Sequence, residues 1–467
     1  MSLNEQTRIR GNAGSGELDM TKGNVYSLIL RFALPVFISQ VFQQLYNTAD
    51  TLIVGRFLGT EALAAVGSSG TLIFMMISFF EGMFMGAGVL ISRCYGAGDR
   101  EGVSRAAHTN VAIGLISGAV LTVIGLLFTP TFLRWMNVDE AIMPKATEYF
   151  RYFFTGSIGM VMYNVCRGTM AAVGDSRHPL YYLIFSSMLN LGLDVLFVGV
   201  FGWGVWAAAV ATVISQTLSA LLCFTRLTRV DGPVKIRIRS IRIHRESLKK
   251  ILKYGVPSGI QNSVIGFANV IVQSQINTFG KAATAAFGAY AKIEGFAFLP
   301  INSCCFAITT FVGQNLGAGE HARAKKGARF GIVSAMALAE IVGAICFFFA
   351  PSLIGAFDKA PEVLAFGIKQ ARVESLFFCL LALSHSIASV CRGAGKAFVP
   401  MTVMLSVWCV FRVAYIFFTM HFFGEIWLIY LAYPITWTIS SIIFVLYYLL
   451  SDWVHGFDKE KKPEVAL

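Results

Sequence analysis

Uncharged or nearly uncharged apolar stretches of about twenty residues or more recur along the whole chain, and they constrain the fold more than any motif does. They run at about 27–50, 62–92, 108–130, 150–170, 179–200, 204–225, 254–276, 284–314, 328–350, 372–391, 400–421 and 426–450. A helix needs about 20 apolar residues to cross about 30 Å of hydrocarbon. Twelve spans are therefore expected. Strands are not, because the segments lack polar alternation and an open sheet leaves backbone groups unsatisfied in lipid. Charged residues make up 14% of the chain and the mean hydropathy is +0.65, whereas soluble domains carry about 25% charge. The fold class is an all-α membrane protein. A soluble enzyme, a disordered chain and a secreted disulfide scaffold are excluded.

The net charge of +12 has a topological reading. With a cytoplasmic N-terminus, the tails and loops on that side hold 27 of the 38 Lys and Arg, the opposite loops hold 8, and three (Arg31, Lys292, Arg412) fall in spans. Positive loops stay inside, which places both termini in the cytoplasm of a plasma-membrane protein. No basic soluble domain for nucleic acid is visible. The nine cysteines show no CxxC spacing and read as small packing residues. Residues 1–24 are polar and lack a signal-peptide core, so the first apolar segment is expected to be a retained span. The longest polar stretch, RLTRVDGPVKIRIRSIRIHRESLKK followed by ILK, lies at 226–253. It reads as a linker between two halves, either a solvated basic loop or a segment lying along anionic headgroups.

The halves resemble each other. At an offset of 221, Gly59, Ala62, Ala64, Ala65 and Gly67 match Gly280, Ala283, Ala285, Ala286 and Gly288; Gly96-Ala97-Gly98-Asp99 matches Gly317-Ala318-Gly319-Glu320; Gly174 and Pro179 match Gly395 and Pro400. Pro35 and Pro257 correspond at 222. Six spans per half is an even number, so both halves insert the same way up, as in secondary transporters with parallel repeats. The expected organisation is a tail at 1–24, an N-lobe at 25–225, the linker at 226–253, a C-lobe at 254–450 and a tail at 451–467. No GxxxxGK[ST] nucleotide loop occurs. The Gly-Ala-Gly turns read as helix terminators.

Ionisable groups within spans are functional candidates by default. Tyr46 and Asp50 share a face of the first span, Asn190 and Asp194 share a face of the fifth, and Thr212 sits in the sixth. The five supply carboxylate, amide, hydroxyl and phenol oxygens, suited to a hard cation such as Na+ or to a proton shared by two carboxyls. The 221 offset maps them onto Phe267, Ile271, Phe411, Tyr415 and Tyr433, so the set belongs to one half only. The C-terminal half has Lys292 and Glu294, two apart and on different faces, Glu374 near a span end, and Arg412. These are candidates for shaping a substrate cavity. Forty Phe and sixteen Met suit an adaptable apolar cavity, for which lipophilic cations are the natural cargo.

The ordered set LPxxxxQxFQQLYNTADTLIVGRFLGTEALAAVG, CRGTMAAVGDSRHP, NLGLD and QNLGAG resembles the multidrug and toxic compound extrusion (MATE) transporters over about residues 25–450. The resemblance implies twelve helices in two pseudo-symmetric six-helix lobes around a V-shaped cavity. It implies export of organic, often cationic and lipophilic compounds by alternating access, against inward Na+ or H+. The family's N-lobe cation site maps onto Tyr46, Asp50, Asn190, Asp194 and Thr212. Its seventh-helix glutamate has no counterpart, since residues 254–278 contain no acid; weight shifts to the N-lobe. No cofactor beyond the coupling ion is implied, and a monomer in the bilayer is expected. Two rivals are a flippase for lipid-linked precursors, which needs several central basic groups, and a membrane-embedded enzyme, for which no HExxH or paired-aspartate motif is present.

Overall fold

The computed structural model describes residues 18–135, 138–455 and 457. The tail cations Arg8, Arg10, Lys459, Lys461 and Lys462 lie outside the described residues, as does the side chain of Ala64 in the repeat. Among the described residues there is no strand. Twelve long helical elements follow one another, with a short helix, Ala350–Gly355, between the ninth and tenth: α1 Val25–Gly59, α2 Ile77–Gly96, α3 Arg100–Trp135, α4 in two pieces (Met143–Thr155 and Ser157–Ala172), α5 Arg177–Val200, α6 Val205–Arg229, α7 Arg245–Asn277, α8 Lys281–Gly317, α9 His321–Phe348, α10 in two pieces (Pro361–Ser375 and Phe378–Gly393), α11 Phe398–Phe422 and α12 Ile426–Leu450.

Nine of these are long and apolar enough to cross a membrane, and α10 makes ten if its pieces, bent by 53°, form one span. The two that fail do so for readable reasons. α4 breaks at Gly156, and its first piece carries Lys145, Glu148 and Arg151. α7 opens with Arg245, Glu246, Lys249, Lys250 and Lys253, and its uncharged remainder is diluted by the amides of Gln261, Asn262, Asn269, Gln273, Gln275 and Asn277. Large apolar side chains such as Leu127, Phe348 and Val410 stand exposed along the helices. In water that much exposed apolar surface would drive aggregation; in hydrocarbon it is solvated.

The chain divides into two compact units. One comprises Ile38–Gly259 with the described residues up to Met20; the other comprises Thr21–Phe37 with Ile260 onward. The residues of the 226–253 stretch belong to the first. Left-handed glycines recur in register between the halves: Gly59 and Gly280, Gly98 and Gly319, Gly174 and Gly395. Each ends a helix where a side chain would be strained, so the repeat is one of conformation as well as of residue type. After Gly98 the acid caps the next helix, Asp99 Oδ1 accepting from the Gly102 amide at 2.8 Å. Glu320 makes no such side-chain cap.

In the first unit, α3 packs on both pieces of α4, and α6 packs on α4 and α5. Small residues set the closest approaches. Gly118 on α3 faces the Ile158 backbone of α4, and Gly114 faces Val165. On α2, Gly82 and Gly86 lie one turn apart and meet the backbone of Gly259 and Gly255 on α7. This is a double GxxxG contact, the route by which membrane helices gain close van der Waals packing without help from the hydrophobic effect. In the second unit, α8, α9 and α10 pack mutually and α12 packs on α10 and α11. The core there is built around Ile301, Phe378, Tyr430 and Trp437.

Candidate functional site

α1 does not end at residue 50. It continues to Gly59, nine residues and roughly 13 Å further on at 1.5 Å per residue. Asp50 is therefore an intrahelical residue. Its immediate surroundings hold no cation: among the described residues the group acting on it is Asp194. A pairing with Arg56, the other way to explain a carboxylate here, does not form.

The structure brings the five N-lobe candidates together. Asp194 is fully buried, Asn190 and Thr212 are buried, and Asp50 and Tyr46 are half-buried. The carboxyls of Asp50 and Asp194 face each other within hydrogen-bonding reach. Asn190 Nδ2 donates to Thr212 Oγ1 at 3.5 Å, a long bond, while Thr212 Oγ1 donates to the Ala208 carbonyl at 3.1 Å. A sixth residue, Gln216 on α6, donates from Nε2 to Tyr46 Oη at 3.0 Å. A seventh, Tyr149 from the first piece of α4, lies within the electrostatic reach of Asp50, Asp194 and Tyr46. Val54, Phe153, Val198 and Ala207–Ala209 form an apolar shell with Tyr149.

The oxygens of this cluster outnumber its donors. Asp50 Oδ1, Asn190 Oδ1, both Asp194 carboxyl oxygens and Gln216 Oε1 are buried without a donor among the described residues. A buried acceptor left unmatched costs about 1–3 kcal/mol, and more when charged. Oxygen-rich, donor-poor and holding two like charges, the arrangement fits a small cation or a shared proton. Directly after Asp194, α5 widens into a π-helical turn at Val195–Val200, an irregularity that often marks functional positions.

Of the four C-lobe candidates, three converge. Arg412 is buried on α11, follows a π-helical turn at Leu405–Phe411 and donates to Thr436 Oγ1 from Nη2 at 2.8 Å. Its guanidinium lies over the rings of Tyr433 and Trp408, 4.4 and 5.1 Å from their centroids. Glu374 is fully buried and accepts from Gln370 Nε2 at 3.0 Å. It precedes the α10 bend, so it lies mid-element and not at a span end. The Arg412 charge acts on both Glu374 and Glu294. Lys292 is exposed and is not among the charges acting on this group. Tyr433 is the residue that the repeat aligns with Thr212. The second unit thus holds a tethered guanidinium beside its buried acids, although Glu374 Oε2 and Gln370 Oε1 also lack a donor there, whereas the first unit's acids have no such cation.

A family model described as MatE matches residues 35–196 and again residues 257–418. The chain belongs to the MatE family, a family of multi-pass membrane transporters. The doubled match begins at Pro35 and Pro257, the pair that anchors the internal repeat. It is 29% identical over 437 residues to the probable multidrug resistance protein YoeA of Bacillus subtilis (strain 168), covering 92% of this chain and 94% of that protein. It is 25% identical over 343 residues to an FAD transporter of Shewanella oneidensis, covering 72% of this chain and 75% of that one. Its fold matches, with a TM-score of 0.89 and 25% identity, a solved MOP superfamily transporter from Pyrococcus furiosus Vc1 (DSM3638), covering 94% of this chain and 98% of that one.

Proposed function

We propose that the chain is a cation-coupled antiporter that exports organic, lipophilic cations by alternating access. Asp50 and Asp194 form the coupling site, assisted by Tyr46, Asn190, Thr212 and Gln216. The observation that carries this reading is the pair of facing carboxyls with no balancing cation and several unmatched oxygens around them. One proton or one Na+ relieves both the repulsion and the missing donors. Binding that ion pulls the three helices bearing the oxygens toward one point, and losing it releases them. That is a bistable element an ion gradient can drive.

The C-lobe acids support the same assignment. Arg412 supplies them with a built-in cation, which leaves the exchangeable one to the first unit. The multidrug resistance name of YoeA agrees with an organic cargo. An anionic dinucleotide like that named for the Shewanella relative, or a lipid pyrophosphate, would need exposed central cations. Arg412 is committed to Thr436, Tyr433 and Trp408, which favours cationic cargo. The cell membrane, with both termini cytoplasmic, is the location that the basic loops assign. Uptake of a fluorescent cation from the bath into everted vesicles, under an imposed Na+ or pH gradient applied separately, tests the proposal. Transport should respond to one of the two gradients and vanish in Asp50→Asn at normal expression. Gradient-driven transport of ordinary rate by that variant would refute it.

A further inference from the structure

The 226–253 stretch is not a solvated loop. Its backbone is pinned at three points to the first unit. The Ile236 amide donates to the Leu227 carbonyl at 2.9 Å, the Arg237 amide to His108 Nε2 at 3.0 Å and the His244 amide to Thr109 Oγ1 at 3.1 Å. His108 Nδ1 in turn bonds the Ser104 carbonyl at 2.7 Å, which fixes the tautomer that leaves Nε2 to accept. Val230, Val234 and Ile236 are buried beneath the strap. A short helical turn at Ile238–Ser240 then faces outward.

What it presents is unusual for a surface in water. Ile238 is 69% exposed and Ile243 44%, and Arg237, Arg239, Arg242 and Arg245 stand exposed around them. Among the described residues none of these four arginines forms an ion pair. The nearby acids Asp231, Glu101 and Glu246 are exposed; the first two pair with Lys235 and Arg105, and Glu246 opens α7. The pinning points also fix the depth. The uncharged part of α3 from Val111 to Leu133 spans roughly 35 Å at 1.5 Å per residue, close to the hydrocarbon thickness. His108 and Thr109 sit just before it, where a span of that length would end, and hold the strap beside that end.

We infer that residues 237–245 form a binding surface for anionic phospholipid headgroups, with the arginines on the phosphates and Ile238 and Ile243 inserted at the acyl boundary. Basic residues gain from an anionic leaflet, and isoleucine gains from leaving water. Neither charge nor apolarity alone suits this surface, whereas a lipid interface satisfies both. The strap ties the end of α6 to α3 and the start of α7, so lipid held there steadies the inner end of the first unit.

Hydrogen exchange across 237–245 in the full-length protein, in nanodiscs of phosphatidylcholine with and without phosphatidylglycerol, tests this. Exchange at 238–243 should slow in the anionic discs. Each Arg→Gln change among Arg237, Arg239 and Arg242 should weaken that protection roughly fivefold, and Ile238→Ser with Ile243→Ser should weaken it further. Inorganic phosphate added to phosphatidylcholine discs should not reproduce it. The Arg237 and His244 amides, bonded to His108 and Thr109, report whether the strap stays pinned in each variant. Equal exchange in both disc types, protection that survives the Arg→Gln changes with the strap pinned, or full protection by free phosphate would each overturn the inference.

Discussion

Placing a methyl group at Gly82 or Gly86 measures how much the α2–α7 crossing depends on bare backbone. A Cβ on Gly82 would lie 2.5 Å from the Gly259 Cα, and one on Gly86 would overlap the Gly255 backbone. Ordinary carbon contacts sit at about 3.5–4.0 Å, so the helices would have to part by roughly 1 Å. Such a gap forfeits a quarter to a half of each contact worth about 0.1–0.2 kcal/mol. Over the tens of atom pairs in a double GxxxG crossing, the loss is about 1–3 kcal/mol. Alanine returns about 0.5–1 kcal/mol of helix propensity, which does not offset it. Gly82→Ala and Gly86→Ala should therefore each lose about 1–2 kcal/mol in reversible unfolding in detergent. Gly88→Ala is the control on the same helix, because its nearest neighbour lies at 3.9 Å; it should be neutral or slightly stabilising. Equal stability for all three variants would refute the reasoning.

Three further outcomes follow from the same structure. Arg412→Met leaves Thr436 without its guanidinium donor and removes the cation acting on the buried Glu374, and should destabilise by roughly 1–3 kcal/mol, with Glu374→Gln on top restoring part of the loss in the same unfolding assay; additive losses would show that the two charges do not interact. Gln216→Leu removes the donor to Tyr46 and should raise the driving-cation concentration for half-maximal efflux roughly five- to tenfold, read in vesicles at matched expression. Outside the membrane, Lys145 at 2.6 Å holds the Glu61 carboxyl below its ordinary range. The stabilisation from that pair is present above the ordinary carboxylate value and lost as pH falls through the depressed one. Glu61→Gln should thus flatten a small decline in melting temperature between about pH 5 and 3, and an unchanged decline would remove the pair from the account.

Much of the site was legible because charge is scarce in spans. Tyr46 with Asp50 and Asn190 with Asp194 are one helical turn apart, and that spacing alone puts each pair on one face. Three things were not legible. The end of α1 could not be read, since Arg56 and the glycines after it look like a loop, yet the helix runs on to Gly59. Gln216 follows Thr212 by one turn, the same spacing that marked the other pairs, but a neutral amide carries no desolvation signal strong enough to stand out. Lys292 and Glu294 looked alike in sequence, both charged and in one span; only packing shows that one faces outward while the other approaches Arg412. The repeat was visible in Gly and Ala positions. Its conformational content, left-handed glycines in register, needed backbone angles.

If ion binding at the Asp50–Asp194 pair drives cargo release, ion and cargo binding must oppose each other. The most direct measurement of that opposition is the affinity of the purified protein for a fluorescent organic cation, titrated against pH at fixed Na+ and against Na+ at fixed pH. The account predicts that raising one of these two ions weakens cargo binding, and that Asp50→Asn and Asp194→Asn each flatten the dependence while the protein still binds the dye. The same steep dependence in both variants as in the unmodified chain would contradict it.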